Sequence, residues 1–207
     1  MPASDIAAVL LAAGSSSRMG ENKLLLPLDG QTVVARAARA ALDAGLHPVV
    51  VVLGHQAARV QAALAGLRCR FVVNPDHALG KGTSLQAGIR EVASATDAGA
   101  AVVMLADMPY VSAAMLAEVA ARHRGDTGDA PGAAPVMVVS RYGDVNAPPM
   151  LYDRALFAEL LSLPGEACGK EMVRRHRHEA AVLSWPEAAL TDIDRPEDYR
   201  RVREEGG

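Results

Sequence analysis

Residues 6–23, IAAVLLAAGSSSRMGENK, decide the fold of this chain. An apolar run over residues 6–13 breaks at Gly14 into a small polar loop that ends in two cations, Arg18 and Lys23. An apolar run of this length bounded by glycine is typical of a strand buried on both faces of a parallel sheet. The loop leaves the carboxyl end of this first strand, which is where open α/β sheets place their ligands.

The loop has the composition of a triphosphate-binding loop. Gly14 and Gly20 let backbone approach a bound group closely, and exposed N–H groups with Arg18 and Lys23 suit phosphate oxygens. The same residues also fit a solvated polar loop without a ligand, and spacing alone leaves both interpretations open. Five residues separate the two glycines where a P-loop has four, and no G-x-G-x-x-G occurs. An ordinary P-loop NTPase or Rossmann dehydrogenase is therefore disfavoured.

Composition narrows the function classes further. The 207 residues are 50% hydrophobic but only 3% aromatic, and the formal charge is 21 − 24 = −3. No basic stripe interleaved with aromatics indicates nucleic-acid binding, and no run reaches the roughly 18 apolar residues that span a membrane. The amino terminus does not resemble a signal peptide. Cys69 and Cys168 show neither metal-ligand nor disulfide spacing, so we expect free thiols in a soluble, cytoplasmic protein.

Strand and helix patterns alternate along the first two thirds of the chain, which is typical of an α/β protein with a doubly wound sheet. The predicted strands are residues 6–13, 47–54, 69–74 and 100–106. The predicted helices are one capped by Thr32 and closed by Gly45, one over 56–65, one starting near Thr83 or Ser84, and one over 112–123.

The last third changes character after a glycine- and proline-rich connection at residues 125–135. The segment NAPPM at 146–150 predicts a turn entering an extended segment. The other predicted elements are strands at 136–140 and 180–185, a helix at 153–161 capped by Asp153, a basic helix at 169–178, and a final helix with Pro196 at its first position.

Two acidic segments suggest a metal site. Asp107 ends an apolar strand, and alternation over T-D-I-D places Asp192 and Asp194 on one face while Ile193 faces the core. Asp107 could instead form a turn, and Asp194 could simply cap the last helix. Together, Asp107 and Asp194 offer Mg²⁺ the carboxylates that it binds alongside phosphate oxygens and water.

The loop at residues 80–84 has two interpretations. A helix that begins at Thr83 or Ser84, after Gly80, Lys81 and Gly82, can present N–H groups and hydroxyls to a nucleotide, or it can be a good cap with nothing bound. We favour the ligand because this loop also follows a strand at the same sheet edge. With a metal and two cations neutralising the leaving pyrophosphate, an acceptor phosphate could attack the α-phosphorus in line without a protein nucleophile.

The segments LAAGSSSRMGENK, GKGTSLQAG, ADMP and DIDRPEDY, in this order, resemble the molybdenum cofactor nucleotidyltransferases, and most of all their cytidylyltransferase branch. The resemblance implies a Rossmann-like nucleotidyltransferase fold, a three-layer α/β/α structure with a mostly parallel sheet. It implies a Mg²⁺-dependent transfer of CMP from CTP, or GMP from GTP, to the terminal phosphate of molybdenum cofactor, with release of pyrophosphate. It also implies one domain over residues 1–207, with a nucleotide-binding half at 1–124 and an acceptor-binding half at 136–207.

The resemblance assigns roles to three groups of residues. Leu11, Ala12, Ala13 and Gly14 would contact the base and ribose, joined by Ser15, Gly82, Thr83 and Ser84 as further nucleotide contacts. Arg18 and Lys23 would hold the triphosphate and, with Asp107, form the catalytic set. Asp107 and Asp194 would bind the metal. Ala13 in LAAG, where guanylyl relatives have LAGG, favours cytosine because its Cβ narrows the base pocket.

The acceptor side departs from the relatives' pattern at Asn146-Ala147-Pro148 and at residues 165–169. Two alternatives therefore stay open. One is a nucleotidyltransferase of the same fold that uses another NTP or a phosphorylated sugar or cofactor precursor. The other is a non-catalytic adaptor that delivers the cofactor to a client molybdoenzyme. The basic residues 174–178 fit a solvated helix face better than a partner surface.

Overall fold

A computed structural model describes residues 5–16, 19–126, 134–164 and 168–205. Nine strands lie within these residues, seven of them in one sheet and two in a separate hairpin. In chain order they are β1 Ile6–Ala12, β2 Pro27–Leu28, β3 Gln31–Thr32, β4 Val49–Leu53, β5 Cys69–Val73, β6 Ala100–Leu105, β7 Met137–Tyr142, β8 Val145–Asp153 and β9 Ala180–Trp185.

Seven α-helices lie in the same described residues. They are α1 Val33–Asp43, α2 Ala57–Ala63, α3 Lys81–Ala95, α4 Ala113–Arg124, α5 Phe157–Ser162, α6 Cys168–Arg175 and α7 Pro196–Glu205. None of these helices is both long and apolar enough to cross a bilayer.

The large sheet has the strand order β5-β4-β1-β6-β8-β7-β9. All neighbouring strands pair in parallel except β8, which runs antiparallel to both β6 and β7. The mostly parallel α/β sheet predicted from the sequence is therefore confirmed.

Both faces of the sheet are covered, which produces three layers. Successive residues of β1 alternate between two cores, with Ala8 and Leu10 in one and Ala7 and Val9 in the other. The first core includes residues of α1, α2, α4 and α7, and the second includes residues of α3, α5 and α6. Burial on both faces explains why β1 is a continuous apolar run rather than an alternating one.

Helix α3 packs very closely on the central strands. A Cβ atom at Gly88 would overlap Val9 Cγ1 and lie 3.0 Å from Val52 Cγ2. The glycine therefore lets the helix axis approach β1 and β4 more closely than any larger residue would allow. This close packing fixes where the amino-terminal end of α3 meets the sheet edge.

The prediction of a turn at residues 146–150 is wrong. The turn lies earlier, at Gly143 and Asp144, between the paired residues Tyr142 and Val145, and NAPPM lies inside β8. The β7–β8 register shifts between Val139 and Arg141, opposite this proline-containing part of the strand. An irregular ladder accommodates prolines because they have no N–H to donate.

Most other predicted elements are present with shifted ends. The helix expected near Thr83 begins at Lys81, and Gln56, expected inside a helix, is the left-handed N-cap of α2 with φ 53°. Thr32, Ser112 and Asp153 accept backbone N–H bonds at their helix starts, and Pro196 is the first residue of α7. Most of the predicted connection, residues 127–133, lies outside the described residues, and so does the side chain of Cys168. Cys69 is a free thiol.

Candidate active site

The loop after β1 is held in shape by its own polar groups. The Ser16 hydroxyl accepts a hydrogen bond from the Lys23 backbone N–H at 3.2 Å, and the Ser16 carbonyl accepts one from the Met19 N–H at 3.0 Å. Ser16 and Gly20 have positive φ angles, and a Cβ at Gly14 would meet no atom within 4 Å. The loop thus leaves open space beside Gly14. Arg18, predicted to hold the triphosphate, lies outside the described residues.

Lys23 is the central cation of the site. It is only 8% exposed, and its Nζ lies 2.5 Å from Asp107 Oδ2 and 2.7 Å from Asp194 Oδ1. Burial by itself lowers the Lys23 pKa, but the charges of Asp107 and Asp194 and their hydrogen bonds outweigh burial and raise it. Lys23 is therefore a protonated ammonium at neutral pH. Its hydrogen bond to Asp194 connects two segments that lie 171 positions apart in the chain.

Asp107 and the T-D-I-D segment meet through the backbone. The Ile193 N–H donates to the Asp107 carbonyl at 3.0 Å, and the Ile193 side chain is fully buried. The predicted alternation is confirmed, since Asp192 and Asp194 both face the Asp107 carboxylate across this contact. The Asp198 carboxylate accepts the N–H groups of Asp194 and Arg195, so it satisfies two backbone donors where the last helix begins.

The three carboxylates form a cluster suited to a divalent ion. Asp107, Asp192 and Asp194 each offer one oxygen, and these atoms lie within 4.8 Å of one another. Burial and the charges of Asp194 and Asp107 raise the pKa of Asp192, although a backbone hydrogen bond and Lys23 oppose that shift. The pKa of a carboxyl rises when burial removes water from its charged form and when other negative charges lie nearby. Hard oxygen donors with unbalanced negative charge fit Mg²⁺ or Mn²⁺.

A second polar group lies where α3 begins. The buried Asn74, which directly follows β5, donates from its side-chain amide to Thr83 Oγ1 at 2.8 Å and to Ser84 Oγ at 3.0 Å. Sequence reasoning singled out the two hydroxyl residues but missed Asn74. A polar residue at the carboxyl end of a strand was the available signal.

Two neighbouring cavities are lined by residues from the end of β1 or the loop after it and from the start of α3. The smaller cavity has a volume of about 60 Å³ and is lined by six small, polar or charged residues and by three leucines. Its lining residues are Leu11, Ala13, Gly14, Lys23, Leu24, Lys81, Ser84, Leu105 and Asp107. The larger, of about 680 Å³, shares Leu11, Lys81 and Leu105 with it and extends between α3, β8 and α6.

Not every predicted site residue lines the smaller cavity. Ala12, the last residue of β1, is buried in the first core, and Gly82 lines the larger cavity. Ser15 lines a separate polar cavity of about 120 Å³ with Asn22 and His55. Thr83 donates to the Asp76 and Gly80 carbonyls, so its hydroxyl holds the loop itself.

Solved structures and characterised sequences resemble this chain over nearly its whole length. Rv0371c from Mycobacterium tuberculosis H37Rv has 32% sequence identity and a TM-score of 0.80, with 98% of this chain and 99% of that chain covered. The same protein has also been solved in complex with manganese, with 31% identity, a TM-score of 0.75, and 97% and 98% of the chains covered. The purine catabolism protein PucB of Bacillus subtilis is 31% identical over 204 residues, covering 94% of both chains.

A third relative matches only in part. Nicotine blue oxidoreductase of Paenarthrobacter nicotinovorans is 39% identical over 120 residues, which cover 58% of this chain and 57% of that protein. Residues 8–180 match the family model described as the MobA-like NTP transferase domain. This match includes the loop after β1, the start of α3 and Asp107, and the chain belongs to the MobA-like NTP transferase family.

Proposed function

We propose that this protein transfers CMP from CTP to the terminal phosphate of molybdenum cofactor and releases pyrophosphate. The observation that carries the proposal is the convergence of Lys23, Asp107 and Asp194, since Lys23 and Asp107 line the smaller cavity together with Gly14 and Ser84. A cation between carboxylates, next to an open glycine loop, is an arrangement that can bind a metal–triphosphate complex. The order of the motifs supports the same substrate class.

On the donor side, the nucleotide lies between the loop after β1 and the start of α3. Leu11, Ala13 and Gly14 form the wall toward the base and ribose, and Ser84 lines the same cavity. Lys23 and Arg18 hold the triphosphate. Ala13 favours cytosine over guanine because its Cβ occupies space that a purine would need.

The carboxylates of Asp107 and Asp194 hold the metal ion, which we propose is Mg²⁺, and Asp192 belongs to the same cluster. When bound, the ion would neutralise negative charge that develops on the phosphates. Lys23 bridges Asp107 and Asp194 and orients both carboxylates. A triphosphate would offer the Lys23 ammonium phosphate oxygens in addition to its carboxylate partners.

On the acceptor side, the larger cavity has the size of a small-molecule pocket, about 680 Å³. Lys81 lines both cavities and Lys170 lines the larger one, so an anionic acceptor meets positive charge at the junction. A terminal phosphate oxygen of the acceptor forms a bond to the α-phosphorus. The bond from the α-phosphorus to the bridging oxygen breaks, and that oxygen leaves with its electron pair as part of pyrophosphate.

This reaction requires little acid–base chemistry from the protein. A phosphate monoester is already an anion at neutral pH, so the site needs to position the two phosphates and to stabilise charge rather than remove a proton. The relative PucB is named a purine catabolism protein. On that ground we propose that the client molybdoenzyme of this transferase acts in purine catabolism.

The experiment is a transfer assay with purified protein, Mg²⁺, molybdenum cofactor and CTP or GTP labelled at the α-phosphate. Label should move from CTP to the cofactor, with pyrophosphate as the second product. Transfer from GTP alone would contradict the cytidylyl assignment. Transfer to a sugar phosphate but not to the cofactor would support the same-fold alternative. Cofactor delivery without any transfer would support the adaptor.

Thermal unfolding with each nucleotide gives an independent measure of base selectivity. A ligand that binds only the folded state at about 100 times its Kd adds roughly 2.7 kcal/mol of stability. With Mg²⁺ present, CTP should therefore raise the melting temperature more than GTP, ATP or UTP at equal concentration.

A further inference from the structure

Asn74 controls the direction of hydrogen bonds at the start of α3. Its Oδ1 accepts the backbone N–H of Asp76 at 3.0 Å. A backbone N–H can only donate, so the atom facing it must be the amide oxygen, and the NH₂ group must face the hydroxyls of Thr83 and Ser84. The orientation of this buried amide is therefore fixed by the chain itself.

The hydroxyls of Thr83 and Ser84 both accept hydrogen bonds from the Asn74 amide, but the two residues differ in where their own O–H protons can be donated. Thr83 Oγ1 lies 2.9 Å from the Gly80 carbonyl and 3.0 Å from the Asp76 carbonyl, so its proton stays within the loop. Ser84 Oγ accepts from Asn74 at 3.0 Å, and among the described residues no acceptor takes the Ser84 proton. Ser84 is 4% exposed and lines the smaller cavity beside Lys23 and Asp107.

We propose that Asn74 is a positioning residue that directs the Ser84 hydroxyl to donate a hydrogen bond toward the bound nucleotide. This inference rests on the proposed nucleotide site. The Asn74 NH₂ group that faces Ser84 can only donate, so it cannot take the Ser84 proton, and that proton is left to be donated into the cavity. Its partner is an acceptor oxygen or nitrogen of the base, ribose or phosphates of the nucleotide.

The test is a double-mutant cycle on CTP affinity, measured by isothermal titration calorimetry with Mg²⁺. Ser84→Ala should weaken CTP binding on the order of tenfold, the loss expected from one hydrogen bond left unmade. Asn74→Asp replaces the donor by a carboxylate that takes the Ser84 proton for itself, and binding should weaken at least as much. Adding Ser84→Ala to Asn74→Asp should then cost nothing further.

Two further variants separate positioning from folding and from charge. Gln86→Glu makes the same amide-to-carboxylate change on α3, the helix of Ser84, where the Gln86 amide donates to the Leu160 and Leu163 carbonyls. It should lower the melting temperature without changing CTP affinity. Asn74→Ala adds no charge, and Ser84→Ala should cost less in that background than in the natural protein. Equal losses from Ser84→Ala in all three backgrounds would overturn the proposal.

Inorganic tripolyphosphate identifies the partner atom. If Asn74→Asp weakens tripolyphosphate as much as CTP, the acceptor is a phosphate oxygen; if it weakens CTP alone, the acceptor belongs to the base or ribose. Either result supports the inference, and no change in either affinity refutes it. A natural protein that binds CTP but transfers no CMP would overturn the proposed function while leaving this cycle measurable.

Discussion

The backbone N–H of Ile193 donates to the carbonyl oxygen of Asp107 across 3.0 Å, although the two residues lie 86 positions apart. This bond docks the T-D-I-D segment against the end of β6, and the buried Ile193 side chain holds it there. The acidic cluster therefore depends on the packing of an apolar residue that has no chemistry of its own. Its members can be tested one at a time.

Asp107→Asn should lower the turnover number for nucleotidyl transfer by about 10²–10³-fold, the loss typical of removing one preorganised group that stabilises charge in a transition state. The side chain keeps its volume, so the protein should remain folded. Initial rates at saturating CTP measure the effect. Asp29→Asn, in an exposed ion pair with Arg36, is the matched control and should leave the rate unchanged. A rate that survives Asp107→Asn would remove Asp107 from the catalytic set.

Asp194→Asn should weaken Mn²⁺ binding at least tenfold, since a neutral amide is a poorer ligand for a hard divalent ion than a carboxylate. Asp192→Asn should weaken it as well, because its carboxylate belongs to the same cluster. Titration of free Mn²⁺ by electron paramagnetic resonance gives the affinities. Asp43→Asn, at the exposed end of α1, should bind as the natural protein does. Unchanged Mn²⁺ affinity in both cluster variants would contradict the assignment of a metal site to this cluster.

Lys23→Met should both destabilise the protein and weaken triphosphate binding. Breaking a buried ion pair by removing one partner costs about 3–5 kcal/mol, and the partly exposed Asp194 side chain points to the lower end. Urea unfolding measures this loss, and added Mg²⁺ should recover part of it by neutralising the carboxylates. Arg200→Met, which removes an exposed pair with Glu197, should cost less than about 1 kcal/mol.

Gly88→Ala tests the close packing of α3. Alanine favours a helix over glycine by about 1 kcal/mol, while forcing an extra methyl group into a packed core costs about 1–3 kcal/mol. The new Cβ would overlap Val9, so the packing cost should dominate and the free energy of unfolding should fall by up to about 2 kcal/mol. Denaturant unfolding measures the change. A stabilised variant would show that the helix can shift outward freely.

The ion pairs of α6 should stabilise the protein only above acidic pH. Hydrogen bonds from Arg174 and Arg175 lower the pKa of Glu171 from 4.5 to about 2. Since the folded-state pKa is the lower one, this contribution is complete above about pH 4.5 and disappears as the pH falls toward about 2. Melting temperatures of the natural protein and Glu171→Gln should therefore differ at pH 7 and converge near pH 2. A constant difference would contradict this assignment.

The sequence predicted the parallel part of the sheet because strands buried on both faces are continuous apolar runs that glycine and polar residues interrupt clearly. The sequence also predicted that Asp107 and Asp194 lie close together. Asp107 was placed by the end of an apolar strand, and Asp194 was placed by the alternation that buries Ile193. The first part of β8 was predicted as a turn because its prolines are turn signals, and the register shift that tolerates them arises only when β7 and β8 pair.

The role of Asn74 could not be predicted for a related reason. Asparagine after a strand is as compatible with a simple turn as with a buried amide. Only the folded loop shows that its oxygen faces the Asp76 N–H and its nitrogen faces two hydroxyls. The bridging position of Lys23 between two carboxylates likewise depends on segments that meet only in the tertiary structure.

Because β8 runs in the reverse direction, different segments of the chain line the proposed acceptor site and most of the proposed donor site. Because β8 runs against β6, its first residues, rather than its last, reach the edge where the nucleotide loops lie. The larger cavity, which we propose binds the acceptor, is therefore lined in part by the β7–β8 hairpin, and this hairpin contributes no residue to the smaller cavity. Under the proposed function, mutations in that hairpin would change which phosphate is modified and leave the residues that bind the nucleotide unchanged.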